Sequence, residues 1–243
     1  VHCPSPLKAD RPPPERSGRF LEILLQRTLK VDFVSDVSCP WCAIGLESLQ
    51  QAAARLGPDV DIDVHFQPFE LNPDMPAGGQ DIAEHLAQKY GASAAQTEAT
   101  RAEIRRRASA LGLSFSMDKR ARIYNTFDSH RLLHWAHEEG REGSQLALKK
   151  RLFKAYFEDG ENPGDHDVLV RLAREVGLDP ERARSILASG AYTREVHDLE
   201  HFYLEQGIHS VPAIIINERH LIQGGQPVAA FEQALREISA IQS

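Results

Sequence analysis

The sequence predicts an α/β fold in which a β–α–β half and a β–β–α half are separated by a large all-helical insertion. Three observations predict it. The apolar run Val31–Val34 leads straight into Cys39-Pro40-Trp41-Cys42 and a helical stretch. Val60–Phe66 (VDIDVHF) alternates apolar and polar residues, the period of a half-buried strand. Strand signals return only at Pro212–Asn217 (PAIIIN) and His220–Gln223, followed by one more helix.

Each element has its own warrant. The first strand is expected over Leu29–Asp36. The helix after it carries Cys42, Leu46, Leu49, Ala53 and Leu56 on one apolar stripe. Pro40 suits its first turn, where a missing N–H costs nothing, and Gly57-Pro58 ends it. Pro68, Pro73, Asp74 and Pro76 make a loop after the second strand. Helices are expected at Asp81–Tyr90, Ser93–Leu111, Thr126–Glu139, Ser144–Glu158, Asp165–Val176, Pro180–Ala188 and Tyr192–Gln206. Glycines at 91, 112, 140, 164, 177 and 190 punctuate them, as helix ends and turns require. Asn217–Arg219 is the expected hairpin turn, and Phe231, Ala234, Leu235 and Ile238 form the inner face of the last helix. The resulting segments are a flexible extension over 1–28, the βαβ half over 29–76, the helical insertion over 77–207 and the ββα half over 208–243. That order matches a thioredoxin fold split by a helical lid.

Composition narrows the function. Among 243 residues, 42% are apolar, enough for a sizeable core, and the net charge of −7 leaves no basic footprint for nucleic acid. No apolar run is long enough to span a bilayer, so no membrane partner is expected. The run Phe20–Leu25 is interrupted by Glu22 and falls short of a signal segment, so a cytoplasmic location is expected. Three cysteines make no disulfide framework. Two of them sit in one motif, where cysteine acts as a reagent.

A strand that delivers Cys39 to a helix N-terminus places its sulfur among free N–H groups, which lower a thiol pKa. Cys42 falls on the buried stripe. Cys39 is therefore the expected nucleophile and Cys42 the shielded resolving thiol. Half of a zinc site is the competing reading, but it needs a second Cys/His pair, and Cys3 is far upstream. Two inert buried thiols are the other alternative. No bound cofactor or metal is expected, only a redox-active Cys39–Cys42 disulfide. A proline opposite such a motif presents backbone groups to a substrate strand. Val211-Pro212 stands in that place, with a cis peptide bond expected.

The CPWC motif with Asp36, the segments PFELNPDMP (Pro68–Pro76), NTFDSHRLLHWA (Asn125–Ala136) and SVPAIIIN (Ser210–Asn217), and the GGQP turn (Gly224–Pro227) together resemble the DsbA-like thiol oxidoreductases of the FrnE type. The resemblance covers roughly Leu29 to Ser243. It implies a thioredoxin fold with an inserted helical domain, and disulfide oxidoreductase or isomerase activity on protein or small-molecule thiols. It places the nucleophile at Cys39, the resolving thiol at Cys42 and the cis-proline at Pro212. A second cysteine pair, which some members carry, is absent after Cys42. The chain is also similar to the 2-hydroxychromene-2-carboxylate isomerases and kappa-class glutathione transferases, which typically carry serine at the first motif position. Glutathione is accordingly an expected co-substrate, and a glutathione-dependent isomerase or transferase is the alternative activity. A non-catalytic client-binding protein is the third.

Other residues carry paired readings. Asp36 either moves protons for Cys42 or caps the motif loop. Pro40 and Trp41, with Val211 and Pro212, are expected on the substrate surface, Trp41 alternatively packing under the lid. His130 and Arg131 are expected to border the cleft, with His130, His134 and His137 otherwise partly exposed helix residues. His197-Asp198-Leu199-Glu200-His201 fits a zinc-protease spacing but reads as an amphipathic helix. Arg105-Arg106-Arg107 reads as a solvated face.

Overall fold

The computed structural model describes residues 27–57, 60–116 and 118–241. The expected N-terminal extension up to residue 26, with Cys3, lies outside them, as does Pro58. Strand β1 (Arg27–Ser35) begins two residues before the strand expected from the apolar run. Helix α1 (Pro40–Ala54) follows the motif with Pro40 in its first turn and Cys39 as N-cap. It ends at Arg55, and Gly57 takes a left-handed φ of 80°. Strand β2 (Val60–Pro68) runs parallel to β1, with Val31 opposite Val64 and Ser35 opposite Pro68.

The chain returns to this sheet only at β5 (Ala213–Ile216), then turns into β6 (His220–Gln223) and α9 (Val228–Ile241). The sheet order is β2-β1-β5-β6, with β5 antiparallel to both neighbours. Val34 pairs with Ala213. That register sets Pro212 beside the end of β1, where the motif loop begins. Leu29, Val31 and Phe33 of β1 pack with Cys42, Leu46 and Leu49 of α1 and with Phe231, Leu235 and Ile238 of α9. This is the split thioredoxin fold that the element order predicted.

Between β2 and β5 lie α2 (Ile82–Tyr90), α3 (Ala94–Ala110), α4 (Phe127–Glu138), α5 (Ser144–Lys154), α6 (His166–Glu175), α7 (Pro180–Ala188) and α8 (Thr193–Glu205). The insertion is not wholly helical. Gln80–Asp81 (β3) and Arg122–Ile123 (β4) form a two-stranded antiparallel pair, too short for any alternation to betray. Helix α5 also changes pitch, its last turn widening into a π-helical segment over Ala155–Asp159. Leu132, Leu133, Trp135, Leu148, Leu152, Leu169, Leu172 and Ile186 give α4–α7 a core of their own, joined to the motif loop through Val37. Helix α3 is held differently. It buries only Ile104 and Ala108, which pack on Ile44 of α1.

Candidate active site

The loop between β1 and α1 is fixed by one carboxylate. Asp36 is 1% exposed, and its two oxygens accept from the backbone N–H groups of Ser38 (2.9 Å) and Leu71 (2.7 Å). Its carbonyl accepts from Cys39 N–H at 3.2 Å. Of the two sequence readings, the geometry gives the cap: both carboxylate oxygens are engaged in holding the loop.

Cys39 and Cys42 are both free thiols. Cys42 is fully buried, as its place on the apolar stripe requires. Cys39 is 4% exposed, less open than a helix mouth suggests. The Cys39 thiol sits below its ordinary pKa of 9.0, first because the Cys42 thiol hydrogen-bonds its sulfur, with the N–H groups of Cys42 and Trp41 adding to that. Burial and the Asp36 charge oppose the shift without reversing it. Cys42 is pushed well above 9.0, first by burial, then by its donation to Cys39 and by the charge there. Of the two, Cys39 is the thiol that ionises first.

The Val211–Pro212 peptide bond is cis. The Val211 carbonyl accepts from the Cys39 thiol at 3.8 Å. Pro212 packs close to α1, where an added Cβ on Gly45 would lie 3.2 Å from its ring. The GGQP turn closes the same corner, with Gly225 too near the Trp41 carbonyl to admit a Cβ without displacement. Trp41 is half-buried and covered by the Arg107 guanidinium at 5.3 Å, while Arg107 Nη2 donates to the Gly225 carbonyl at 2.5 Å. Arg107 therefore departs from the solvated face expected of the arginine run. Arg105 and Arg106 conform to it, paired with Glu98 and Glu103.

A cleft of about 410 Å³ opens over Cys39. Pro40, Trp41 and Val211 line it, together with Leu86, Tyr90, Ile104, Arg101 and Arg120 of the insertion. His130 and Arg131 do not, contrary to expectation. The apolar stripe of α4 turns both inward, leaving them 2% and 4% exposed. His130 lies behind the loop with Nε2 4.0 Å from Asp36 Oδ1, and burial holds its pKa well below 6.5. Arg131 binds the helical core together. It donates to the carbonyls of Ala191 (2.8 Å), Ser189 (2.5 Å) and Ile186 and to Asp128 (2.7 Å). His197 stacks on Phe127 at 4.4 Å, and no cluster among the described residues is arranged to hold a metal.

Sequence reasoning missed Lys149. It is fully buried in α5, its Nζ without a hydrogen-bond partner and 5.6 and 5.1 Å from the rings of Phe66 and Phe153. Burial brings its pKa down to about 8, against the opposing pull of Cys42, Asp36 and Cys39. A signal existed. Gln145, Leu148, Lys149, Leu152 and Phe153 share one helical face, and Lys149 stands in the middle of it. Arg120 was missed as well, because nothing in the irregular stretch around it marks a buried side chain.

The pattern of the DSBA-like thioredoxin domain matches residues 30–236, so the chain belongs to that family. A probable DsbA oxidoreductase from Streptomyces coelicolor is 33% identical, with a TM-score of 0.77 over 86% of this chain and 89% of its own. Two more distant structures share the fold. A 2-hydroxychromene-2-carboxylate isomerase is 16% identical, with a TM-score of 0.65 over 88% of this chain and 99% of its own. The cytosolic disulfide reductase DsbM from Pseudomonas aeruginosa, solved with GSH, is 19% identical, with a TM-score of 0.57 over 85% and 99%.

Proposed function

We propose that this protein is a dithiol–disulfide oxidoreductase working through Cys39 and Cys42. One observation carries the reading. A thiol of lowered pKa meets a buried thiol of raised pKa, against the carbonyl that precedes a cis-proline. Cys39 thiolate attacks one sulfur of a disulfide, and the departing thiolate takes the bonding electrons. Cys42 then attacks Cys39 in the mixed disulfide and expels the second thiolate. Run backwards, the steps oxidise a dithiol. Pro40, Trp41 and Val211 form the surface on which the substrate is held. Pro212, expected there as well, is buried against α1 and does not line the cleft, so its part is to set the Val211 carbonyl in place.

Burial makes the second attack the harder one. In the mixed disulfide the Cys39 charge no longer raises Cys42, and burial is opposed by Lys149. Lys149 thus supports the Cys42 thiolate when it is needed. Glutathione is the proposed reductant and mixed-disulfide partner, in keeping with the resemblance to glutathione-using relatives and with DsbM solved with GSH. The FrnE type is proposed within the family on its motifs from Pro68 to Pro227. The proposed compartment is the cytoplasm, since cysteine is scarce and DsbM is named as cytosolic. No helix among the described residues is long and apolar enough to cross a membrane.

The test is titration of the Cys39–Cys42 pair in glutathione buffers, where about 30 mV changes the equilibrium tenfold. Formation of an intramolecular disulfide, with Cys42→Ser trapping a glutathione adduct on Cys39, supports the reading. Full activity in Cys39→Ser ends it. The cleft over Cys39 favours one second reading, a glutathione-dependent isomerase or transferase acting on a small molecule. That reading requires turnover to survive the loss of Cys42.

A further inference from the structure

We propose that the cleft over Cys39 selects small disulfides and thiols that carry an anionic group, with Arg101 and Arg120 binding that group. The proposal rests on the exchange reading and names its substrate class.

Size comes first. The cleft holds about 410 Å³, within the range of small-molecule sites. Cys39 at its base is 4% exposed and walled by α2 and α3. A disulfide fixed on a rigid protein surface has to pass those helices. A low-molecular-weight disulfide enters without moving them.

Charge comes second. The chain carries a net −7, yet the residues lining this cleft include two arginines and no carboxylate. Arg120 is 9% exposed, its guanidinium lying over Tyr156 (4.8 Å) and Phe157 (5.1 Å). Its Nη2 donates to the Ser38 carbonyl at 3.2 Å, and its Nε has no partner. That Nε is out of reach of solvent, so the part of the guanidinium that lines the cleft is what meets an anion there. Arg101 makes no hydrogen bond or ion pair among the described residues, although its charge acts on Asp81. Planar guanidinium donors match a carboxylate. Leu86, Ile104, Val211 and the exposed ring of Tyr90 supply the apolar wall.

The chemistry balances without a further reagent in one turnover. Cys39 thiolate displaces R–S⁻ from R–S–S–R, and Cys42 thiolate displaces the second R–S⁻. The protein dithiol loses two electrons and the disulfide gains them.

The experiment mixes reduced protein with three alkyl disulfides: dithiodipropionate (dianionic), hydroxyethyl disulfide (neutral) and cystamine (dicationic). Each rate is divided by that of dithiothreitol with the same disulfide. The expected result is a normalised rate about tenfold or more higher for the dianion than for the dication at low salt, shrinking as salt is added. Arg101→Gln and Arg120→Lys each lower the ratio of dianion to neutral rate. Arg101 is half-buried on a solvated helix, so its variant remains informative if Arg120→Lys fails to fold. Equal normalised rates, or a ratio unchanged in both variants, overturn the proposal while leaving the exchange reading standing. Failure to reduce any of the three, with no mixed disulfide forming on Cys39 in Cys42→Ser, overturns both.

Discussion

The Cys39 thiol donates to the carbonyl oxygen of Val211 at 3.8 Å, although 172 positions of chain separate the two residues. The reduced site therefore already pairs the thiol that ionises first with the backbone carbonyl that precedes the cis-proline. Ionisation of Cys39 breaks that contact and frees the carbonyl at the moment the thiolate becomes reactive.

Alkylation of Cys39 is expected to follow a titration midpoint below 9.0, because the Cys42 thiol hydrogen-bonds its sulfur. Iodoacetamide rates across pH give the midpoint. Cys42→Ala removes the donor and moves it upward, and Cys42→Ser, which keeps a hydroxyl donor, moves it less. Identical midpoints in all three proteins would falsify this account.

Lys149 sets stability against function. Its pKa is about 8 in the folded chain and 10.5 ordinarily. Between those values the unfolded chain binds a proton that the folded chain does not, so stability rises with pH across that window. Below about 8 the burial penalty is fully present. Lys149→Met is expected to abolish the rise and to stabilise the protein at neutral pH by roughly 1–4 kcal/mol, as replacement of a buried charge by an apolar side chain does. The same variant slows release of the mixed disulfide. Urea unfolding at several pH values and quenched-flow trapping measure the two effects, and loss of stability at neutral pH would contradict the assignment.

Gly225→Ala places a Cβ 2.8 Å from the Trp41 carbonyl. Backbone there has to move, at a cost of roughly 1–3 kcal/mol. The shift also loosens the Arg107 cover on Trp41, so exchange slows along with the loss of stability. A variant as stable and as active as the parent would show that the turn does not brace the motif.

Arg131→Met leaves the carbonyls of Ile186, Ser189 and Ala191 without their donor inside the helical core. A loss of about 3 kcal/mol or more is expected, since one partner of a buried charged network is removed. The Cys39 alkylation midpoint stays where it was, because Arg131 lines no part of the cleft. A changed midpoint in folded variant protein would return Arg131 to the active site.

The scaffold was legible wherever a period and its punctuation coincided. Val60–Phe66 alternates and became β2, Asp165 heads an apolar helical run and caps α6, and PAIIIN became β5. The positions of the motif cysteines and of Pro212 were legible because β1 and α1 flank the cysteines directly and β5 follows Pro212 directly, although the contacts between the two segments span most of the chain. Arg120 draws its character from Tyr156 and Phe157 of the π-helical segment and Lys149 partly from Phe66 on β2, side chains that are remote in sequence. Histidine and arginine at 130 and 131 misled for the same reason: charge suggests solvent, and burial with acceptors around it is decided by packing.

The long excursion between β2 and β5 also sets the order in which the protein matures. Strand β1 gains its second neighbour only when Ala213–Ile216 arrives, so a loop spanning most of the chain has to close before the sheet is complete. During synthesis from the N-terminus, Cys39 and Cys42 emerge well before Val211, Pro212, Gly225 and α9. Phe231, Leu235 and Ile238 of α9 and Ile214 and Ile216 of β5 share the core that encloses Cys39 and Cys42, so the two thiols reach their full burial only when the ββα half has closed on the βαβ half.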